Sequence, residues 1–249
     1  HSHFDHLYGA ERIMAQTNAT LIGSYETVRL MVEAGVPAER MICVAGGETV
    51  ALSDDVSVSV FPSQHSCVWS HGQMAQPDDV CLGDLGVTWQ EQDAKMQELT
   101  TYLTTSLSPP SIEHLLSSMG SHSDRGDGGA LLFNFSTPSG SLLFQDTSGH
   151  WSGIVDQLQP DVAILAAAGR GNVDGEPIQG SLIDFTRAQV EALAPGKVVL
   201  CHHDNWLPGF SVPTDMAPLR ALFDTLPAEL LELDYLTPTV IFDGDGELS

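Results

Sequence analysis

Positive charge is what this sequence has least of. Its 249 residues carry 9 Lys+Arg against 33 Asp+Glu, a formal net charge of −24. A surface that tracks nucleic-acid phosphates needs a basic stripe to release counterions, and an anionic membrane surface asks for the same. The basic residues are scattered instead, and after Arg220 the chain runs through Asp224, Glu229, Glu232, Asp234, Asp243, Asp245 and Glu247 with no cation at all. Nucleic acid and membrane are therefore not expected partners, and the dispersed acidity reads as solubility or adaptation to high salt. Cysteine is also scarce. Cys43, Cys67, Cys81 and Cys201 form no CxxC pair, so a zinc knuckle, a thioredoxin-like site and a disulfide scaffold are all disfavoured. Long apolar runs are missing too: the longest, 162–168, is strand-sized, against the roughly 18 residues of a membrane span. An initiator Met is absent, and the chain opens on His1, which predicts that the sequence starts in mid-fold. Any N-terminal signal would lie upstream of it, and a cytoplasmic location is the expectation.

What is present is a globular composition, 42% hydrophobic and 17% charged, in a chain long enough to bury a substantial core. Short apolar or β-branched runs at 19–23, 41–44 and 56–61 predict strands, the last with the period-two alternation of a half-buried one. Between the first two, a helical stripe over 24–34 is preceded by Ser24 as N-cap and stopped by Gly35. Further strands are predicted at 130–135, 141–145, 162–165, 197–201 and 239–242, and helices at 151–158, 182–193 and 215–223. The breaker-rich turn at 136–140 makes a hairpin, so the expected class is α/β with a mixed sheet. We expect one domain over 1–249. The region at about 67–129, with Trp69, Trp89, a helical stretch at 90–105, Pro109-Pro110 and a Gly/Asp-rich end, reads as an inserted lid.

The strongest chemical signal is His1-x-His3-x-Asp5-His6 at the very start. His1 and His3 converge at a strand end if the chain curls there. Asp5 and His6 then open a helix and bring a hard oxygen and another imidazole to the opposite side. Imidazole and carboxylate together suit Zn, and also Fe or Mn.

With its HxHxDH pattern the sequence resembles the metallo-β-lactamase-fold metal-dependent hydrolases, and the wording around the motifs is closest to the branch related to ascorbate-6-phosphate lactonases. The resemblance extends along the chain, because each further ligand of that family has a counterpart at a strand end. His65 follows the strand at 56–61, Asp146 follows 141–145, and His202 follows 197–201. The resemblance implies an αββα four-layer sandwich of two mixed β-sheets, here lacking its first strands, with the edge of the first sheet exposed. It implies two divalent metal ions, most simply Zn. His1, His3 and His65 would hold one; Asp5, His6 and His202 would hold the other; Asp146 would bridge them. His202 and His203 compete for the last position, and the family pattern favours His202. His203 then faces substrate or supports a ligand, with Asp204 available to orient an imidazole. Cys201 reads as a buried strand residue.

The implied function is hydrolysis of a small ester, lactone, amide or phosphodiester by a metal-bridging hydroxide that Asp5 orients. An alternative on the same ligands is iron-dependent oxidoreductase chemistry of the persulfide dioxygenase or flavodiiron kind. Arg170, just beyond the strand at 162–165, is a candidate anion contact. Gly169-Arg-Gly171 and Gly126-Asp-Gly-Gly129 lack the P-loop pattern. His71, His114 and His122 are read as surface histidines before any catalytic role, and His150, four residues after Asp146, either lines the cleft or lies on a helix N-terminal surface.

Overall fold

The computed structural model describes residues 1–66, 88–119, 129–177, 181–205, 207, 211 and 213–242. In chain order its elements are α1 (Phe4–Leu7), α2 (Ala10–Gln16), β1 (Leu21–Gly23), α3 (Tyr25–Glu33), β2 (Met41–Cys43), β3 (Thr49–Ala51) and β4 (Ser57–Pro62). These are followed by α4 (Trp89–Ser106), α5 (Pro109–Met119), β5 (Leu131–Thr137), β6 (Gly140–Gln145), β7 (Gly149–His150), α6 (Ser152–Val155) and β8 (Val162–Ala166). The remainder is β9 (Asn172–Val173), β10 (Glu176–Pro177), α7 (Leu182–Leu193), β11 (Lys197–Cys201), α8 (Met216–Phe223) and β12 (Glu229–Leu230).

Local chemistry explains the element ends. The Ser24 side chain accepts from the Thr27 amide and caps α3, and Gly35, at φ +86°, ends it in the left-handed region an L side chain avoids. A reciprocal Ser181–Asp184 capping box starts α7.

A seven-stranded sheet in the order β12-β11-β8-β6-β5-β4-β3 carries the fold. Its β3–β6 half is antiparallel and its β6-β8-β11-β12 half is parallel, so the sheet is mixed as the hairpin predicts. Because two antiparallel steps separate β4 from β6, the strands β4, β6, β8 and β11 all point the same way. Their C-terminal ends share one edge of the sheet. That edge is where residues 63–66, 146–148, 167–171 and 202–205 emerge.

Four layers follow from side-chain alternation. Leu21 and Met41 face out to Leu7, Met14, Leu30 and Met31 of α1–α3, while Ile22 and Ile42 face in to Val44, Val60 and Leu131. Leu132, on the opposite face from Leu131, joins Leu143, Ala163, Leu165, Val198 and Leu200 against Val155, Val190, Leu193, Leu219 and Leu222 of α6–α8. The order is helices, the two-stranded parallel β1–β2 sheet, the seven-stranded sheet and helices again, which is the expected αββα sandwich.

Three local expectations change. The run at 239–242 is not a strand; Glu229–Leu230 takes the edge beside β11, pairing Glu229 with Lys197. The helix expected at 151–158 shortens to one turn, and Thr49–Ala51 adds an edge strand. Within the region expected as a lid, α4 and α5 are present, while 67–87 and 120–128, with His71 and His122, lie outside the described residues. Helix α5 meets α1 through Ile112 and Phe4 in a cluster with Leu107, Leu115 and Leu207.

Candidate metal centre

The first three residues are extended, and a single helical turn then starts, with the His6 and Leu7 amides donating to the His3 carbonyl. That abrupt change puts Asp5 and His6 across from His1 and His3. The His1 side chain is fully buried, and its Nδ1 lies 3.1 Å from Asp146 Oδ2. His6 bridges two carboxylates: Nδ1 is 2.9 Å from Asp146 Oδ2, and Nε2 is 3.3 Å from Asp5 Oδ2. His202 Nε2 approaches Asp5 Oδ2 at 3.4 Å and His6 Nε2 at 3.2 Å. On the other side, the rings of His1, His3 and His65 stand edge to face with centroids 4.7–4.9 Å apart.

The side-chain donor atoms fall into three overlapping groups: His1, His3 and His65; His1, His6 and Asp146; and Asp5, His6 and His202. Within each group all donor atoms lie within 4.8 Å of one another. The middle group shares His1 with the first and His6 with the last, so Asp146 stands between the two outer sets.

Metal ligation demands neutral imidazoles and ionised carboxylates. Burial, with the charge of His65 close by, pushes the His3 pKa down to about 3. Burial alone would raise Asp146, but the hydrogen bond from His6 works against it and holds its carboxyl below the usual carboxylate range. Asp5 is likewise lowered, since the hydrogen bond from His202 overcomes its desolvation. The same bond raises His202 against its burial. His1 Nε2 and Asp146 Oδ1 are buried without a hydrogen-bond partner among the described residues. Stranding such atoms is costly, and a cation is the species that an imidazole lone pair and a carboxylate oxygen both satisfy. The residues fit a metal centre.

Supporting contacts hold the strand-end loops together. His65 Nδ1 is 2.8 Å from the Ser66 carbonyl, to which it donates in the tautomer that keeps Nε2 as the acceptor. The Ser66 amide donates to Thr147 Oγ1, which joins the His65 loop to the Asp146 loop. Beneath them, Gln145 Nε2 donates to Ser63 Oγ and to the Gly149 carbonyl, and Gln189 Nε2 donates to Gln145 Oε1. Sequence reasoning missed this pair. The available signal was a glutamine at an inward position of an apolar strand and another on the apolar stripe of α7.

Of His202 and His203, the structure brings His202 to Asp5 and His6. His202 has φ +56°, a conformation rare for a residue with a side chain, which carries its ring to Asp5 and His6. His203 turns the other way, a third exposed, with Nε2 4.0 Å from Asp204 Oδ1. Asp204 accepts from the Tyr235 hydroxyl. Burial, reinforced by Asp146 and Asp204, pushes the Cys201 thiol up to about 12 and keeps it protonated.

His150 is not at the surface. It is 4% exposed and packs its ring on Phe185, with burial pushing its pKa down to about 4 against the pull of Asp174 and Asp156. Its folded pKa lies below the ordinary value near 6.5, so the unfolded chain binds the extra proton. Stability is therefore full above pH 6.5 and falls as pH drops towards 4, by up to about 3 kcal/mol from this group. Urea unfolding across that window should show His150→Leu losing less stability than the wild type; parallel curves would refute the assignment. His114 lies on α5, its ring 6.0 Å from that of Tyr8.

No protein-family model matches the chain. Over 66 residues it is 35% identical to the UPF0173 metal-dependent hydrolase of Pyrobaculum arsenaticum, and equally so to that of Pyrobaculum calidifontis. Each match spans 26% of this chain and 29% of the relative, so the chain matches less than a third of the length of these curated relatives. Among solved structures, Igni18, a metallo hydrolase from the archaeon Ignicoccus hospitalis, superposes with a TM-score of 0.52 at 16% identity, covering 94% of this chain and 73% of that one. An isothiocyanate hydrolase from Delia radicum gut bacteria gives 0.53 at 14% identity, covering 97% and 74%. These likenesses concern the fold. Four αββα layers with an HxHxDH turn facing the ends of three strands define a protein of the metallo-β-lactamase fold. The chain shares the fold of these solved hydrolases, and over 66 residues it is similar to the UPF0173 metal-dependent hydrolases.

Proposed function

We propose that this chain is a metal-dependent hydrolase with a dinuclear centre. His1, His3 and His65 would hold one divalent cation, Asp5, His6 and His202 a second, and Asp146 would serve both. The observation that carries this reading is the overlap of the three donor groups through His1 and His6. When bound, a pair of Zn ions supplies Lewis acidity and water of near-neutral pKa.

The chain's own residues do the rest. Asp5, kept ionised by His202, accepts a hydrogen bond from the attacking water and turns a lone pair towards the scissile carbonyl or phosphoryl group. His6, donating Nδ1–H to Asp146, would hold that carboxylate in place while its Nε2 lone pair stays free for the cation shared with Asp5. His203, a third exposed and next in sequence to His202, would meet substrate. The excess of acidic residues favours a small molecule over nucleic acid. No helix among the described residues is long and apolar enough to cross a membrane.

The test is metal analysis of protein purified without added metal, followed by a screen of esters, lactones, amides and phosphodiesters. Two Zn per chain and turnover of one class, lost on EDTA treatment and restored by Zn, is the expected result. Stoichiometric Fe with thiol-dependent oxygen uptake would overturn it in favour of oxidoreductase chemistry.

A further inference from the structure

Arg170 stands apart from the other arginines described. Arg29 pairs with Glu26 and Glu33, Arg220 with Glu232, and Arg40 donates to the carbonyls of Met14, Thr17 and Ala19. Arg12 and Arg187 each lie 3.9 Å from a glutamate. Arg170 has no such partner among the described residues, and its Nη2 is sealed from solvent without an acceptor. Acidic residues outnumber basic ones 33 to 9, so a lack of carboxylates does not explain the vacancy. An enclosed guanidinium nitrogen without an acceptor is unfavourable, and folds retain such groups where something else completes them.

Its position says what that is. Arg170 follows β8, which lies in the sheet between β6 and β11, the strands that end in Asp146 and His202. All three end on the same edge. The loop carrying Arg170 is fastened on both sides of it. Ser148 Oγ donates to the Ala168 carbonyl, Thr214 Oγ1 to the Ala167 carbonyl, and the Ala167 amide to the Cys201 carbonyl. Beyond it, the Asn172 side chain donates to the His65 carbonyl and its amide to the Ser148 carbonyl. Gly169 lies against Ser66: a Cβ built there would be 3.4 Å from Ser66 Oγ. Ala167, Ala168, Gly169 and Asn172 are therefore held against segments that carry candidate ligands, while Arg170 Nη2 has no acceptor among the described residues. Such a charge is pre-organised, with little ordering cost left for binding.

We propose that Arg170 is a specificity residue that binds an oxyanion, a carboxylate or phosphate group carried by the substrate beside the bond to be broken. A planar fork of donors matches such a group in two parallel hydrogen bonds. Naming the anion as part of a substrate rests on the hydrolase reading; binding of the anion does not.

Two experiments separate these. EDTA-treated protein is titrated calorimetrically with inorganic phosphate and, separately, with acetate, which distinguishes the two anion sources. One saturable site is expected for at least one of them, weakened about tenfold or more in Arg170→Gln and only partly recovered in Arg170→Lys, which keeps the charge but not the fork. The melting temperature of Arg170→Gln should not fall, because no internal partner is lost; a fall would indicate a structural role. No saturable binding, or binding equal in Arg170→Gln, overturns the proposal. In the metal-loaded protein, Arg170→Gln should raise KM for an ester bearing a carboxylate about tenfold more than for its neutral homologue. Equal effects on the pair also overturn it. If neither ester is turned over, the hydrolase reading fails and the titration still decides the anion site.

Discussion

Asp146→Ala should lower kcat/KM by at least about three orders of magnitude while the circular dichroism spectrum stays that of the wild type. Asp146 is the carboxylate between the two outer donor groups, touching His1 at 3.1 Å and His6 at 2.9 Å through one oxygen. Its side chain contributes nothing to the apolar clusters, so the loss should fall on metal content and turnover rather than on folding. His65→Ala should behave alike from the other end, emptying the group it forms with His1 and His3. A further pair tests the geometry at the end of β11. His202→Ala should lose the cation held with Asp5 and His6, while His203→Ala should retain full metal content. Activity surviving Asp146→Ala or His65→Ala would refute the assignment of the site.

The second large effect is steric. A Cβ on Gly149 would stand 2.6 Å from the Gln64 carbonyl oxygen and 2.7 Å from that of His65. Both obstacles are backbone, so no side chain can swing aside to make room. The Gly149 carbonyl also accepts from Gln145 and Ser63, so any retreat of this strand pulls on the network beneath Asp146. Gly149→Ala should therefore destabilise the fold by about 2–3 kcal/mol in urea unfolding. Displacement of His65 should also weaken the first metal site about tenfold or more, read by competition with a chromogenic chelator. Gly153→Ala is the contrast. It lies in α6 with nothing within 4 Å of the added carbon, and should stabilise by about 0.5–1 kcal/mol with unchanged metal binding. If Gly149→Ala behaves like Gly153→Ala, the packing of the two loops is wrong.

The candidate ligands were legible in the chain because their chemistry is local. A histidine or aspartate directly after a β-branched or apolar run announces a strand end. His202 is placed that way, Asp146 follows with one residue between and His65 three residues after β4 ends, and His1, His3, Asp5 and His6 lie within six residues. Strand and helix periodicity similarly made the mixed α/β class readable, since alternation reports which face is buried whatever lies against it. The run at 239–242 shows the limit of that signal. Its composition favours extended chain, but a strand also needs a partner, and Glu229–Leu230 holds the edge of β11; residue 241 instead offers its carbonyl to Lys197.

What the amino-acid order determined by itself, then, is the set of candidate ligands, most of the element types and the −24 charge that disfavours nucleic acid. Only the tertiary structure decided which of those groups meet. Selecting His202 over His203 took a positive φ at the end of β11, together with Asp5 and His6 nearly two hundred residues away in the chain. The burial of His150 against Phe185, the Gln145–Gln189 support and the lack of an acceptor for Arg170 Nη2 among the described residues are likewise absences or contacts between distant segments. Propensity and spacing act over a few residues; desolvation, hydrogen-bond satisfaction and charge pairing depend on what the fold brings alongside.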